Sequence, residues 1–467
     1  MSEKLTVLSR RTDRRFGTHR KHERFFAPQA WLDGNVASNV RVTVHNGRVA
    51  AVESATPRRN DDVPLPGLML PGFANTHSHA FHRALRGRTH EAGTFWTWRE
   101  RMYAVAGRID PDQYYELAKA TYCEMALAGI TAVGEFHYLH HGPDGRPYSD
   151  PNLMGHALRT AAREAGIRIT LLDTCYLTGG IGVPLEGPAR RFGDGSVSSW
   201  ADRVSHLAPD ESTRIGAAIH SVRAVPRDAL PSVVEAAAGR PLHVHLSEQP
   251  AENDACLGHF GLTPTRLLGD AGVWSRSATA VHATHLTEDD IKTLGSSGTT
   301  ISMCCTTERD LADGVGPAVR LAAAGSPLCV GSDAHMAIDL WEEARAIELD
   351  ERLVSGRRGN LAVPDLARAL TEDGAAAIGW DAGRIAEGAL GDLVTVSLDS
   401  PRTAGARHGD ALAHVVFAAT AADVTTVVVG GDTVVRDGRH LSVPDVGLEL
   451  ERAIGAALGR AAHAARR

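Results

Sequence analysis

Short apolar runs and amphipathic stretches alternate through most of this chain. The apolar runs read GITAVGEFH (129–137), IRITLLDTCY (167–176), RIGAAIHSV (214–222), RPLHVHLSE (240–248), ATAVHATH (278–285), GTTISMC (298–304) and SPLCVGSDAH (326–335). One more, LPGLMLPGF, leads into NTHSH (75–79). Between most of them lie stretches with helical spacing, such as DQYYELAKATYCEMALA, HALRTAAREA, DALPSVVEAAAG and EDDIKTLGSS. Repeated strand–helix units of this size predict a parallel sheet. Eight of them predict a closed (β/α)8 TIM barrel, which takes about 250 residues plus insertions. An open doubly wound sheet is the competing architecture, but no GxGxxG follows a first strand. The Gly-rich TGGIGVPLEGP after the third strand lacks P-loop order and reads as a flexible active-site loop.

The two ends of the chain carry a different rhythm. NVRVTVHNGRVAAVE alternates with period two around an Asn46-Gly47 hairpin signal. GDLVTVSLD and VTTVVVGGDTVVRDGRH repeat that texture near the C-terminus, with a Gly-Gly turn. The α/β class therefore comes with a small β-sandwich domain drawn from both ends. The expected division is a basic leader over 1–23, a β domain over 24–70 plus 385–445, a catalytic barrel over 71–384 and a C-terminal helix over 446–467.

Composition narrows the function. The chain has 467 residues, 43% of them hydrophobic, which suits a large globular domain with a smaller companion. A formal charge of -7 and no basic stripe argue against nucleic acid as partner and fit a cytoplasmic enzyme. No apolar run approaches the roughly 20 residues of a membrane span. The six cysteines show no CxxC spacing, which predicts reduced thiols. Cys304 and Cys305 are adjacent, so alternation would put one inward and one outward. The Arg-rich first 23 residues lack the apolar stretch of a secretory signal and read as a disordered leader.

In a parallel barrel, the C-terminal ends of the strands build the active site. The unusual polar residues collect there: His77 and His79; Glu135 and His137; His220 and Arg223; His243, His245 and Glu248; His282 and His285; Asp333 and His335. Residues i and i+2 of a strand share a face, so His77 and His79 both face the barrel mouth and can grip one ion. His82 lies beyond that strand and is placed to face substrate. His243 and His245 are likewise i and i+2, and periodicity does not choose between them. Glu248, at the start of the next loop, can reach a water at the metal. Asp333 offers a carboxylate to the metal and to that water, although Asp at such a position is also an ordinary helix cap. Burying these groups without an ion would leave them poorly satisfied.

PGFANTHSH, HVHLSE, VHATH and GSDAH, framed by a β domain from both ends, resemble the amidohydrolase superfamily, in its mononuclear deaminase branch. FFAPQAWL, HSHAFHRAL, FWTWRERMY, AGITAVGEFHYLHH and HSVRAV are similar to the formimidoylglutamate deiminases of bacterial histidine breakdown. The likeness runs from Phe25 to about Arg439. It implies His77, His79, His245 and Asp333 as ligands of one divalent metal, with zinc leading. It implies Glu248 as proton shuttle, His282 as second catalytic group and Asp333 as partner in activating water. Arg99, Tyr138, His220 and Arg223, with His82, would hold a small dicarboxylate, N-formimidoyl-L-glutamate. A homodimer is expected. Two-metal relatives use a carboxylated lysine, but Lys4, Lys21, Lys119 and Lys292 all miss the predicted strand ends, which favours one metal. His243 and His285 are expected to support the ligands. His82 stands where relatives often carry Gln, and Asp310, in TTERDLADG, where they carry an amide; an acid facing the pocket would repel an anion. The rival expectations are a deaminase of purine or pterin rings, stacking on Trp96 and Trp98, and a non-catalytic metal-binding scaffold.

Overall fold

The computed structural model describes residues 23–89 and 95–459; the leader up to residue 22 and the chain end after residue 459 lie outside it. Eight parallel strands run in sequential order: strand 1 (Phe73–Ser78), strand 2 (Ile130–His137), strand 3 (Arg168–Cys175), strand 4 (Thr213–Ile219), strand 5 (Leu242–Leu246), strand 6 (Ala278–His282), strand 7 (Thr300–Met303) and strand 8 (Leu328–Val330). The barrel closes where strands 8 and 1 meet. Ser78 bridges Asp333 in parallel register, and the Asp333 N–H donates to the His77 carbonyl at 3.0 Å. Every residue of strands 1, 2 and 3 is buried, because inner side chains cover one face and helices the other.

The helices start and stop where local chemistry says. Pro111–Leu127 begins with an Asp110–Gln113 capping box and a proline in its first turn. Glu288–Ser297 begins with a Thr287–Asp290 box and ends at Gly298, whose φ of 66° suits glycine. The FWTWRERMY segment forms a helix, Phe95–Ala106. The side chain of Trp96, expected as a stacking residue, lies outside the described residues. After strand 8, helices Leu340–Ser355, Val363–Ala369 and Glu372–Ala377 lead to a plug under the barrel. There the Ile378 carbonyl accepts from Thr170 at 2.6 Å and the Ala377 carbonyl from His243 at 3.0 Å.

The chain ends build one mixed nine-stranded sheet. Leu68–Pro71 from the first end pairs antiparallel with Leu393–Val396 from the second. Asn46 and Gly47 turn between Asn35–His45 and Arg48–Glu53 with φ of 50° and 78°, the left-handed pair that a tight hairpin needs. Phe25, Val42, Met69, Leu393 and Val428, drawn from both ends, share a core of their own. A buried ion pair locks sheet to barrel: Arg168 donates to both Asp392 oxygens at 3.0 and 3.1 Å, and Asp392 also accepts from the Gly430 N–H at 2.7 Å. The last helix among the described residues spans Val446–Ala457. Cys304 and Cys305 are both buried, contrary to the expected alternation, because Cys305 opens the helix Cys305–Asp310 and leaves the strand pattern. Among the described residues, no helix is long and apolar enough to cross a membrane.

Candidate active site

Four groups converge inside the barrel mouth. Nε2 of His77 lies 3.1 Å from Nε2 of His245 and 3.4 Å from Oδ1 of Asp333. Nε2 of His79 lies 3.4 Å from the same Asp333 oxygen. His77, His79 and His245 offer ligand atoms all within 4.8 Å of one another. Backbone carbonyls orient two of the rings. His79 Nδ1 donates to Phe136 and His245 Nδ1 to His220, each at 2.9 Å. With its proton on Nδ1, a neutral imidazole presents Nε2 as a bare lone pair. Two such lone pairs and a carboxylate facing one point repel one another unless a cation lies between them. Burial pushes His77, His245 and His79 down, the last to about 3, so all three rings are neutral and able to ligate. Burial alone would raise Asp333, but hydrogen bonding with His77 and the charge of His282 hold it well below the usual carboxylate range. Three imidazoles and one carboxylate thus fit a divalent metal.

The strand ends carry backbone strain. Ser247, His282, Ala283, Asp333 and His335 have φ between 39° and 68°, a left-handed region costly for residues with a Cβ. Hydrogen bonds hold these turns in place. Ala283 N–H donates to Leu246, and His285 N–H to Ser247, both at 3.0 Å. Glu135 grips the strand 1 turn, accepting from the Ser78 hydroxyl at 2.6 Å and the Ala80 N–H at 2.7 Å.

Glu248 and His282 flank the four groups. Oε1 of Glu248 is 3.8 Å from Nε2 of His282, which is 3.9 Å from Oδ2 of Asp333. Burial raises Glu248. His282 moves up to about 10: burial opposes its charge, but Glu248, Glu308 and Asp333 surround it. Glu308 lies 3.3 Å from His282 Nδ1 and also accepts from the Cys304 N–H at 2.9 Å.

The groups open onto a cavity at the barrel mouth. His82, Arg99, Tyr138, His220 and Arg223, the five residues expected at the substrate, all line it. His82 is buried with Nε2 2.9 Å from the Tyr138 hydroxyl, and it also stands near enough to His79 and Asp333 to join a metal-capable trio. Arg99 lies over the Tyr103 ring, 5.4 Å from its centroid. Trp98, Tyr103, Tyr176 and Phe192 make the walls aromatic. Leu311, not Asp310, faces the cavity. The Gly-rich loop contributes Thr178 and Gly179 to the lining and folds into a turn, with the Gly179 N–H on the Val183 carbonyl at 2.8 Å.

Two expected supports act elsewhere. His243 holds the plug through Ala377, and His285 donates to the Asp313 carbonyl at 2.7 Å. Each ties a segment of backbone, and the carbonyls of Phe136 and His220 orient the rings in their stead. Sequence reasoning missed Glu252 and Glu308. Both sit in first turns of helices, where an acidic residue is ordinary, so no local signal marks them. A second group, His137, His140 and Asp173, also lies close together. Both Asp173 oxygens are taken by Arg203, at 2.8 and 2.9 Å, and one also by the Trp200 indole, so this cluster is satisfied as structure.

Known proteins match over nearly the whole length. The amidohydrolase family model covers residues 68–434. A formimidoylglutamate deiminase of Pseudomonas aeruginosa is 37% identical, over 89% of this chain and 95% of its own. A 5-methylthioadenosine/S-adenosylhomocysteine deaminase of Natronomonas pharaonis is 28% identical, over 84% and 88%. The crystal structure of an amidohydrolase from Brucella melitensis superposes with a TM-score of 0.85 at 31% identity, covering 93% of this chain and 100% of that one. An adenosine deaminase from Xanthomonas campestris with bound zinc shares the fold, with a TM-score of 0.78 at 22% identity, over 92% and 98%. Sequence match, barrel and the gathering of histidines and an aspartate at the strand ends agree: the chain belongs to the amidohydrolase family.

Proposed function

We propose that this protein is a metal-dependent hydrolase of C–N bonds that converts N-formimidoyl-L-glutamate and water into N-formyl-L-glutamate and ammonia. The observation that carries the reading is the pairing, in one cavity, of a metal-fitting cluster with two arginines, Arg99 and Arg223. A guanidinium matches a carboxylate fork to fork, and a glutamate derivative brings two carboxylates. The Pseudomonas aeruginosa relative supports the same chemistry.

His77, His79, His245 and Asp333 would hold one divalent metal per chain, with zinc the first candidate. A metal in such a site lowers the pKa of water from 15.7 towards about 7. Glu248 accepts a proton from the attacking water and delivers it to the imino nitrogen as the C–O bond forms. Asp333 shares that water and takes part in moving its second proton to the same nitrogen. His282, held cationic between Glu248 and Glu308, steadies the charge that develops on the tetrahedral carbon's oxygen. The C–N bond then breaks and ammonia leaves. Arg99, Arg223 and Tyr138, with His82 and His220, orient the dicarboxylate. The same reading carries a homodimer in the cytoplasm, working in histidine breakdown, and the boundaries at residues 71 and 384 for its catalytic unit.

One observation favours a second reading. Trp98, Tyr103, Tyr138, Tyr176 and Phe192 line the cavity, and purine-nucleoside deaminases stand among the relatives. A purine or pterin could stack there. The test is ammonia release by metal-assayed protein from N-formimidoyl-L-glutamate, with adenosine, guanine and a pterin alongside. Release from the formimidoyl compound alone supports the proposal. Preference for a ring compound replaces it by the second reading, and metal binding without turnover of any of them leaves the scaffold reading.

A further inference from the structure

Glu252 is a buried acid in the first turn of helix Pro250–Phe260, and nothing in the chemistry above uses it. Its two oxygens face different partners. Oε1 accepts from the Ser247 N–H at 2.9 Å. Oε2 lies 2.8 Å from Nε of Arg223. Ser247 is the left-handed residue (φ 51°) that turns the chain between His245 and Glu248. Arg223 lines the cavity and sends Nη2 to within 3.6 Å of Oε2 of Glu248. One carboxylate therefore touches both the turn that carries the proton shuttle and the arginine that faces the substrate.

The arrangement has an electrostatic logic. Arg223 stands between two carboxylates, and it is nearer to Glu252. Its guanidinium is buried enough that an arginine here seeks an anion. Without a charge at position 252, the nearest carboxylate to it among those described is Glu248, which has to stay free to take a proton from water and pass it on. With Glu252 present, Arg223 has a closer anion on the protein side, at 2.8 Å, than Glu248 at 3.6 Å.

We infer that Glu252 is a positioning residue: its charge holds Arg223 so that this arginine receives a substrate carboxylate instead of closing onto Glu248. The inference rests on the proposed reaction for its substrate, and on the geometry alone for the arginine.

Glu252→Gln tests it, because Gln keeps the size and the oxygen that Ser247 needs while removing the charge that Arg223 needs. The experiment is a double-mutant cycle of E252Q and R223Q on the metal-loaded protein, read as KM and kcat with N-formimidoyl-L-glutamate. A crystal structure of E252Q accompanies it. We expect E252Q alone to raise KM about ten-fold, the scale of a charge-assisted contact, and to lower kcat as well. On the R223Q background it changes KM less than about two-fold. Glu252→Asp, which retains the charge, recovers part of the loss. In the E252Q crystal, the guanidinium lies closer to Glu248 than 3.6 Å. Equal, multiplying effects of E252Q with and without Arg223 would show a purely structural role and overturn the inference. So would an E252Q structure with Arg223 unmoved. If wild-type protein fails to turn over this substrate, the proposed reaction falls, and the position of Arg223 in the crystal still decides the role of Glu252.

Discussion

Gly331 is the position where a single methyl group tests the link between barrel closure and the site. It directly follows strand 8, two residues before Asp333. A Cβ there would lie 2.6 Å from Cβ of His77, 2.9 Å from its backbone nitrogen and 3.0 Å from its carbonyl oxygen. Carbon atoms pack at about 3.5–4.0 Å, so the two strands would have to part by roughly 1 Å. Neither is loose. The Gly331 N–H donates to Met303 and the Asp333 N–H to His77, both at 3.0 Å, and the Thr76 hydroxyl donates to Val330 at 2.8 Å. Overpacking of this kind costs about 1–3 kcal/mol, and a displacement of about 1 Å at reacting groups costs on the order of 10² in rate. Gly331→Ala should fold, melt at a lower temperature, hold less metal than wild type and lose about a hundred-fold in kcat. Gly258→Ala is the control. It lies inside helix Pro250–Phe260 with nothing within 4 Å of the new methyl, and it should gain about 0.5–1 kcal/mol from helix propensity. Metal content, melting temperature and kcat measured on both variants decide the matter. A Gly331→Ala protein with wild-type metal content and turnover would refute the claim that strand closure sets the position of His77.

Three further outcomes follow from the site and its supports. Glu248→Gln should keep its metal by atomic absorption yet lose about 10² to 10⁴ in kcat, since only the proton transfer is removed; unchanged turnover would remove Glu248 from the mechanism. Asp333→Asn should bind metal poorly, and chelation of wild-type protein should abolish ammonia release and lower the melting temperature, both restored by adding zinc; full activity of the chelated, metal-free protein would rule out a metal mechanism. Burial opposes the charge on Asp173 and Asp194, but contacts with Arg203 and neighbouring histidines hold both below the usual carboxylate range. A depressed carboxylate stabilises the fold above its unfolded pKa and loses that contribution as pH falls. Melting temperature should therefore drop below about pH 4, and Asp194→Asn should flatten that limb; an identical acid limb in the variant would show that the pairing does not contribute.

Much of this molecule is written locally. The eight apolar runs are strands because each must be covered on both faces, and composition carries that requirement. Asn46-Gly47 turns because those residues accept positive φ, and Thr287 and Asp290 start a helix from within four residues of sequence. His77 and His79 share a face because extended chain has period two, so half of a metal cluster was visible in three letters. Of the five cavity-lining residues, His82 was marked by its place beyond strand 1, and His220 and Arg223 by the end of strand 4, whereas Arg99 and Tyr138 came only from likeness to relatives.

What only tertiary structure decided depends on contacts between distant segments. Periodicity left His243 and His245 equivalent. Their heights in the barrel separate them: His243 meets the Ala377 carbonyl of the plug, and His245 meets Nε2 of His77. Cys305 was expected to alternate as a strand residue, but the chain turns into a helix there. Glu252 and Glu308 look like ordinary first-turn acids until folding brings them to Arg223 and His282. Asp333 becomes part of the metal-fitting cluster because strand 8 closes onto strand 1, a contact across more than half the chain. The reason is one of range. Dihedral preference, capping and periodicity act over a few residues, and the sequence displays them directly. The position of a charge beside another charge is set by closure of the barrel, which no local stretch contains.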